Sequence, residues 1–229
     1  MAAPEQPPAR VERILDAAAE LLVRWGYQRV TIDEVARHAH IGKGTVYLHF
    51  KTKDALFLTV LLRTHRRVVG NLVDRMESDP EAVLPSVSSR EVYLAVANDP
   101  VARPLYLGDP EVLGRLVQEA GGTMTVMVQK RSGALRHALE VLRAAGLLRA
   151  DLDVDELLHV FAAVTTGFFV IDGAPAAVDV EKRADLLATT VRAAIEVPGR
   201  VPPDVAREVA GIYRSLITHI DDEWKRRVR

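Results

Sequence analysis

Apolar residues recur every three or four positions along almost the whole chain, and strand-like alternation is nearly absent. That periodicity predicts an all-α protein. Val11, Ile14, Leu15, Ala18, Leu21, Leu22 and Trp25 share one broad face of a helix expected over 9–25. Gly26 follows, where a left-handed C-terminal cap would sit. Ahead of it, the Pro-rich residues 1–8 read as a disordered tail. Further helices are expected at 53–77, 81–97, 100–107, 110–120, 123–145, 153–171, 179–196 and 203–227. The last carries Val205, Val209, Ile212, Leu216, Ile220 and Trp224 on one stripe. A chain of 229 residues has room for two domains. We place a three-helix helix-turn-helix domain at 9–52 and a larger helical bundle at 53–229, with helix 53–77 linking the two.

Composition narrows the function classes. The apolar fraction is 48% and the charged fraction 27%, which suits a water-soluble core-forming chain. A net charge of -1 argues against coating nucleic acid by bulk charge but leaves room for a local basic face. Without cysteine there is no disulfide, thiolate zinc site or thiol nucleophile, and a reducing cytoplasm is the expected setting. No signal peptide is expected, and the greasiest segment, 157–171, is interrupted by His159, so no membrane span is expected either. His38 and His40 stand two apart, a poor chelating geometry. Gly42-Lys-Gly-Thr45 lacks the first glycine and preceding strand of a phosphate loop. The expectation is therefore no metal, no cofactor and no enzyme.

The segment 31–50 has the dimensions of a helix-turn-helix. Thr31-Ile-Asp-Glu34 has the form of a capping box, in which hydroxyl and carboxylate each accept from the other residue's amide. It predicts a short helix ending near His38, a turn over 39–42 and a second short helix over 43–49. Thr52 then caps the long helix, with Asp54 in its positively polarised first turn. Ile32, Val35, Ala36, Ala39, Ile41, Val46 and Phe50 form the expected small core. Burying Val46 and Phe50 turns Lys43, Gly44, Thr45, Tyr47 and His49 outward. Lysine reaches phosphates or guanine edges, glycine admits close backbone approach, and hydroxyls reach phosphates. Arg37, Lys43, Lys51 and Lys53 occur with no acid from Arg37 until Asp54. Taken alone, these residues fit a DNA reader, or else a helical interaction protein whose helix-turn-helix is ordinary packing.

Thr31-Ile-Asp-Glu-Val-Ala36, followed by Ile41-Gly-Lys-Gly-Thr-Val-Tyr47-Leu-His-Phe50-Lys-Thr-Lys53-Asp-Ala-Leu56, resembles the DNA-binding segment of the TetR family of bacterial regulators. The resemblance implies that helix 43–49 enters the major groove, with Thr45 and Tyr47 as principal contacts. Thr31 and Lys53 would hold phosphates. Two positions depart from the pattern. His40 stands where the family usually has a turn glycine, and Gly42 where a serine usually caps the helix. The implied function is a ligand-responsive repressor, released from a palindromic double-stranded DNA operator by a small, mostly apolar effector. The segment from Gly146 to Glu156 is similar to the family's approach to its dimerisation helices.

Helix 153–171 is apolar almost all round and rich in small residues. Helix 179–196 carries Ala184, Leu187, Ala188, Val191 and Ile195 on one stripe. These two are the expected homodimer interface, because two half-sites need two reading heads. Tyr93, Tyr106, Met124, Met127, Val128, Phe168 and Phe169 are the candidate ligand-pocket lining, since Met and aromatic side chains adapt to irregular apolar molecules. Arg103, Gln129, His137 and Thr165 are candidate polar partners.

Overall fold

In a computed structural model, residues 7–107, 113, 122–171 and 178–228 are described. The helix order is α1 Pro7–Arg29, α2 Ile32–His38, α3 Lys43–His49, α4 Lys53–Ser78, a 3-10 turn Pro80–Val83, α5 Pro85–Ala97, α6 Ala102–Leu107, α7 Thr123–Ala144, α8 Val154–Ile171, α9 Val180–Ile195 and α10 Pro203–Lys225. No strand occurs among the described residues; Leu148 and Glu196 make one isolated antiparallel bridge. The helix expected at 110–120 lies outside the described residues except for Leu113, which is buried. Residues 1–6 of the expected tail lie outside them too, and α1 already begins at Pro7. Proline is tolerated there because first-turn amides have no intrahelical acceptor.

One unit gathers residues 1–66, 100–127 and 219–229. Within it α1 packs on α2, and α2 on α3. Val11, Ile14, Leu15, Ala18, Leu21 and Leu22 are buried as the periodicity predicts, but Trp25 is not: it is exposed, with the Arg24 guanidinium beside its ring. The reason is Gly26. Its φ of 72° is positive as expected, but its ψ of 160° is extended rather than left-handed helical, a combination open only to glycine. The backbone breaks there, and Tyr27 enters the core instead, its ring edge-on to Phe57. Arg63 of α4 is clamped between Glu12 and Asp16 of α1 at 2.8 Å each. Thr59, Thr64 and His65 of α4 are buried, and His65 Nδ1 lies 3.1 Å from the Tyr106 hydroxyl.

The turn between α2 and α3 is fixed by backbone chemistry. The Thr31 capping box forms in full: Glu34 N donates to Thr31 Oγ1 at 3.3 Å and Thr31 N to Glu34 Oε2 at 2.7 Å. At the other end His40 N donates to the Arg37 carbonyl and Ile41 N to the Ala36 carbonyl, the paired bonds of a Schellman cap. His40 occupies its left-handed position at φ 54° and is the one non-glycine residue with positive φ among those described. Ile32, Val35, Ala36, Ala39, Val46 and Phe50 are buried, while Ile41 is only half-buried.

The second unit gathers residues 67–99 and 128–218. Its core joins α5, α7, α8, α9 and α10 through Tyr93, Leu139, Leu142, Leu157, Leu187, Val191, Ile195 and Val209. The α9 stripe expected at a dimer interface is spent here: Ala184, Leu187, Val191 and Ile195 are buried within the chain, and α9 packs against α5. Glu196 caps α5 from 110 residues away, accepting from Ser86 N at 2.5 Å and Ser86 Oγ at 2.9 Å. Burial pushes the Glu196 carboxyl above its ordinary value despite those two bonds. Asp153 and Glu156 form a second capping box at the start of α8.

α8 differs from the other helices. By length and composition alone it is apolar enough to cross a bilayer, with a mean hydropathy of 1.6 over 18 residues. Only 6% of that stretch is buried. It packs on α9, and His159, Ala162, Ala163, Thr166 and Val170 line an open stripe.

His40 is solvent-exposed, so replacing it removes no packing. His40→Gly is expected to stabilise the protein by a few tenths to about 1 kcal/mol, because relief of left-handed strain outweighs the extra chain entropy of glycine. A urea midpoint that rises at unchanged slope would show it, and a lower midpoint would contradict it.

Candidate nucleic-acid interface

Short helices at right spacing do not make a reader; what matters is the face left open. In α3 the buried residue is Val46, followed by Phe50 at the C-cap. Helical geometry therefore turns residues 43, 44, 47 and 48 outward. Lys43, Gly44, Tyr47 and Leu48 are all exposed. Thr45 and His49, expected outward, sit half-buried on the flanks, because each is adjacent to a residue of the buried stripe. Leu48 was not among the expected contacts, yet its side is the open one.

Gly44 is informative for what is missing around it. A Cβ added there would meet no protein atom within 4 Å. Its φ is not in the positive range that demands glycine. Neither packing nor backbone conformation within this chain requires the absence of a side chain at 44.

Each basic side chain has a local arrangement that the linear sequence conceals. Lys43 Nζ lies 2.8 Å from Asp33 Oδ2 of α2, with both groups solvent-exposed. That hydrogen bond, and then the charge of Asp33, raises the Lys43 pKa from its ordinary 10.5. His38 Nε2 lies 2.6 Å from Glu20 Oε2 of α1. Lys53 Nζ sits 4.1 Å from the centroid of the Tyr27 ring, a cation–π contact, and Tyr27 also hydrogen-bonds the Asp54 carboxylate. Lys53 is thereby held at the start of α4 rather than left to swing. The Thr31 hydroxyl is engaged with Glu34, donating at 2.8 Å to its carboxylate. Arg37 and Lys51 are exposed.

The seven pocket candidates divide between the two units. Tyr106, Met124 and Met127 belong to the first, where both methionines are buried. Tyr93, Phe168 and Phe169 belong to the second. There the Tyr93 and Phe169 ring centroids are 5.2 Å apart, and Arg183 Nε donates to the Tyr93 hydroxyl at 3.1 Å. Val128 is 43% exposed, so it lines no core. A cavity of about 380 Å³ lined by Gly122, Thr123, Val126, Glu223, Arg226 and Arg227 includes none of the seven. Among the described residues no cluster of His, Asp or Glu is arranged to hold a metal ion.

Known proteins bear out the helix-turn-helix. Residues 14–60 match the family described as bacterial regulatory proteins, tetR family. The HTH-type transcriptional regulator SrpR of Pseudomonas putida is 31% identical over 160 residues, which is 68% of this chain and 71% of that protein. The fatty acid metabolism regulator protein of Bacillus subtilis is 31% identical over 75 residues, 33% of this chain and 37% of that protein. Among solved structures, SmeT, the repressor of the Stenotrophomonas maltophilia multidrug efflux pump SmeDEF, superposes with a TM-score of 0.60 at 24% identity, covering 84% of this chain and 95% of that one. That likeness carries the all-α fold across both units.

Replacing Asp33 by Asn is expected to return the Lys43 ammonium toward its ordinary pKa of 10.5, followed by NMR titration of the Nζ resonance. An unchanged titration curve would show that the Lys43–Asp33 pair is not populated in solution.

Proposed function

This chain belongs to the tetR family of bacterial regulatory proteins, and from that premise we propose that it is a homodimeric repressor that reads a palindromic operator and leaves it when a small, mostly apolar molecule binds. It is a DNA-binding transcriptional regulator, as its relatives are, and the alternative of a helix-turn-helix used only for packing falls away with the family assignment. We assign it no catalytic activity and a cytoplasmic site of action, where its DNA lies.

The observation that carries the DNA reading is the outward face of α3, with Lys43 and Tyr47 flanking the unoccupied space at Gly44. A side chain absent without an internal reason implies an external surface that comes close. The major groove admits an α-helix, and base edges there offer distinct donors, acceptors and methyl groups. Tyr47 and Lys43 supply hydroxyl and ammonium to that surface. Thr31, Thr45, His49 and Lys53 flank it and serve phosphates, which fix register without reading sequence.

The dimer reading rests on α8. Its stripe of His159, Ala162, Ala163, Thr166 and Val170 is open in the single chain, and Val170 and Ile171 are 66% and 69% exposed. Small residues permit close helix approach, and a second copy would cover this surface. A bilayer is the poorer occupant, since Asp155, Glu156 and His159 lie within the same helix.

Tyr93, Phe168, Phe169 and Val128 of the second unit, and separately Tyr106, Met124 and Met127 of the first, remain the proposed ligand contacts. α4 runs unbroken through residues 66 and 67, where the two units divide, and is the proposed lever between ligand and DNA. Ligand and operator then oppose each other through a coupling of about 1–3 kcal/mol, or roughly 5–150-fold in affinity.

Selection of sheared genomic DNA by the purified protein, followed by sequencing, is expected to enrich a short inverted repeat. Folded protein that enriches nothing, even at low salt, would overturn the proposal. On a selected site, Gly44→Ala is expected to weaken binding while leaving the free protein as stable or more stable, by up to about 1 kcal/mol. Undiminished binding by Gly44→Ala would show that nothing approaches that surface closely.

A further inference from the structure

Leu48 is 71% exposed, more than any other large apolar side chain among the described residues. A single exposed leucine is ordinary. This one is not in ordinary surroundings. It lies on the outward face of α3, adjacent to Tyr47, which is 46% exposed, and four residues after Gly44. Side chains on a helix lean toward its N-terminus, so the residue at i+4 lies over the turn that holds residue i. Leu48 therefore shares the outward face with Gly44, where a Cβ would meet open space. That face is apolar at Leu48 and otherwise made of Lys43 and the Tyr47 hydroxyl.

We propose that Leu48 is a specificity-determining residue, packing against the 5-methyl group of a thymine in the major groove. This rests on the DNA reading proposed above and names one base that the reading face selects. Thymine is the one base whose major-groove edge carries a methyl group, so an exposed leucine there discriminates thymine from cytosine without a hydrogen bond. The surrounding charge favours the same occupant. Arg37, Lys43 and Lys51 are exposed around the helix, and a polyanion fits this setting where an apolar protein surface does not.

The test uses a site selected by the wild-type protein. Each thymine is replaced in turn by deoxyuridine, which removes the methyl group and nothing else. For the wild type, one position in each half-site is expected to lose about fourfold in affinity, the value of one buried methyl-sized group. For Leu48→Ala the same replacement is expected to cost nothing, and for Leu48→Met it is expected to cost nearly as much as in the wild type. Leu48 is exposed, so neither substitution threatens folding. If the wild type binds the site but no deoxyuridine matters, or if it matters equally in Leu48→Ala, the Leu48 proposal is overturned and the DNA reading stands. If the wild type binds no DNA, both are overturned together.

Discussion

Two backbone hydrogen bonds, from His40 N to the Arg37 carbonyl and from Ile41 N to the Ala36 carbonyl, set the angle at which α3 leaves α2. They close α2 only if the residue between them takes a left-handed conformation, and here a histidine takes it. Val35, Ala36, Val46 and Phe50 then lock the two helices into one small core. With that angle and that core fixed, the open side of α3 has no further freedom. It must present Lys43, Gly44, Tyr47 and Leu48. The strain at His40 is local and tolerated because the surrounding contacts over-determine it.

Much of this geometry was legible in the sequence. The Thr31–Glu34 capping box and the limits of α3 followed from residue chemistry that acts over four or five positions, and the special backbone at position 40 from the family resemblance, which has a turn glycine there. Features that depend on a distant part of the chain did not. The stretch from Arg37 to Lys53 contains no acid in sequence, yet Asp33 and Glu20 reach Lys43 and His38 from neighbouring helices. Trp25 and Tyr27 exchanged places because a positive φ at Gly26 does not by itself say whether the chain continues or breaks. The α9 stripe had the right period, but periodicity reports that a face is buried and not against what; the answer was α5 of the same chain. Leu48 was overlooked because polar residues were favoured as DNA contacts, although residues 46 and 50 as the inward pair already put 48 outside.

The same pairs that order the interface also temper it. Asp33 holds Lys43 in place and at the same time offsets its charge, so a phosphate must compete for that ammonium. Lys53 is restrained differently, by the Tyr27 ring and the Gln28 carbonyl. A reader built from one competed and one pre-positioned cation on a nearly neutral protein gains less from bulk attraction than from fit. That places the weight of recognition on the shape of the α3 face.

Affinity of Tyr47→Ala for a site selected by the wild type, measured beside its thermal midpoint, tests that claim most directly. Tyr47 is exposed, so its side chain contributes little to the fold. The account predicts binding weaker by about tenfold or more, the value of one good base contact, with the midpoint unchanged. Wild-type affinity in a stably folded Tyr47→Ala protein would contradict it, because α3 would then not be the element that reads the DNA.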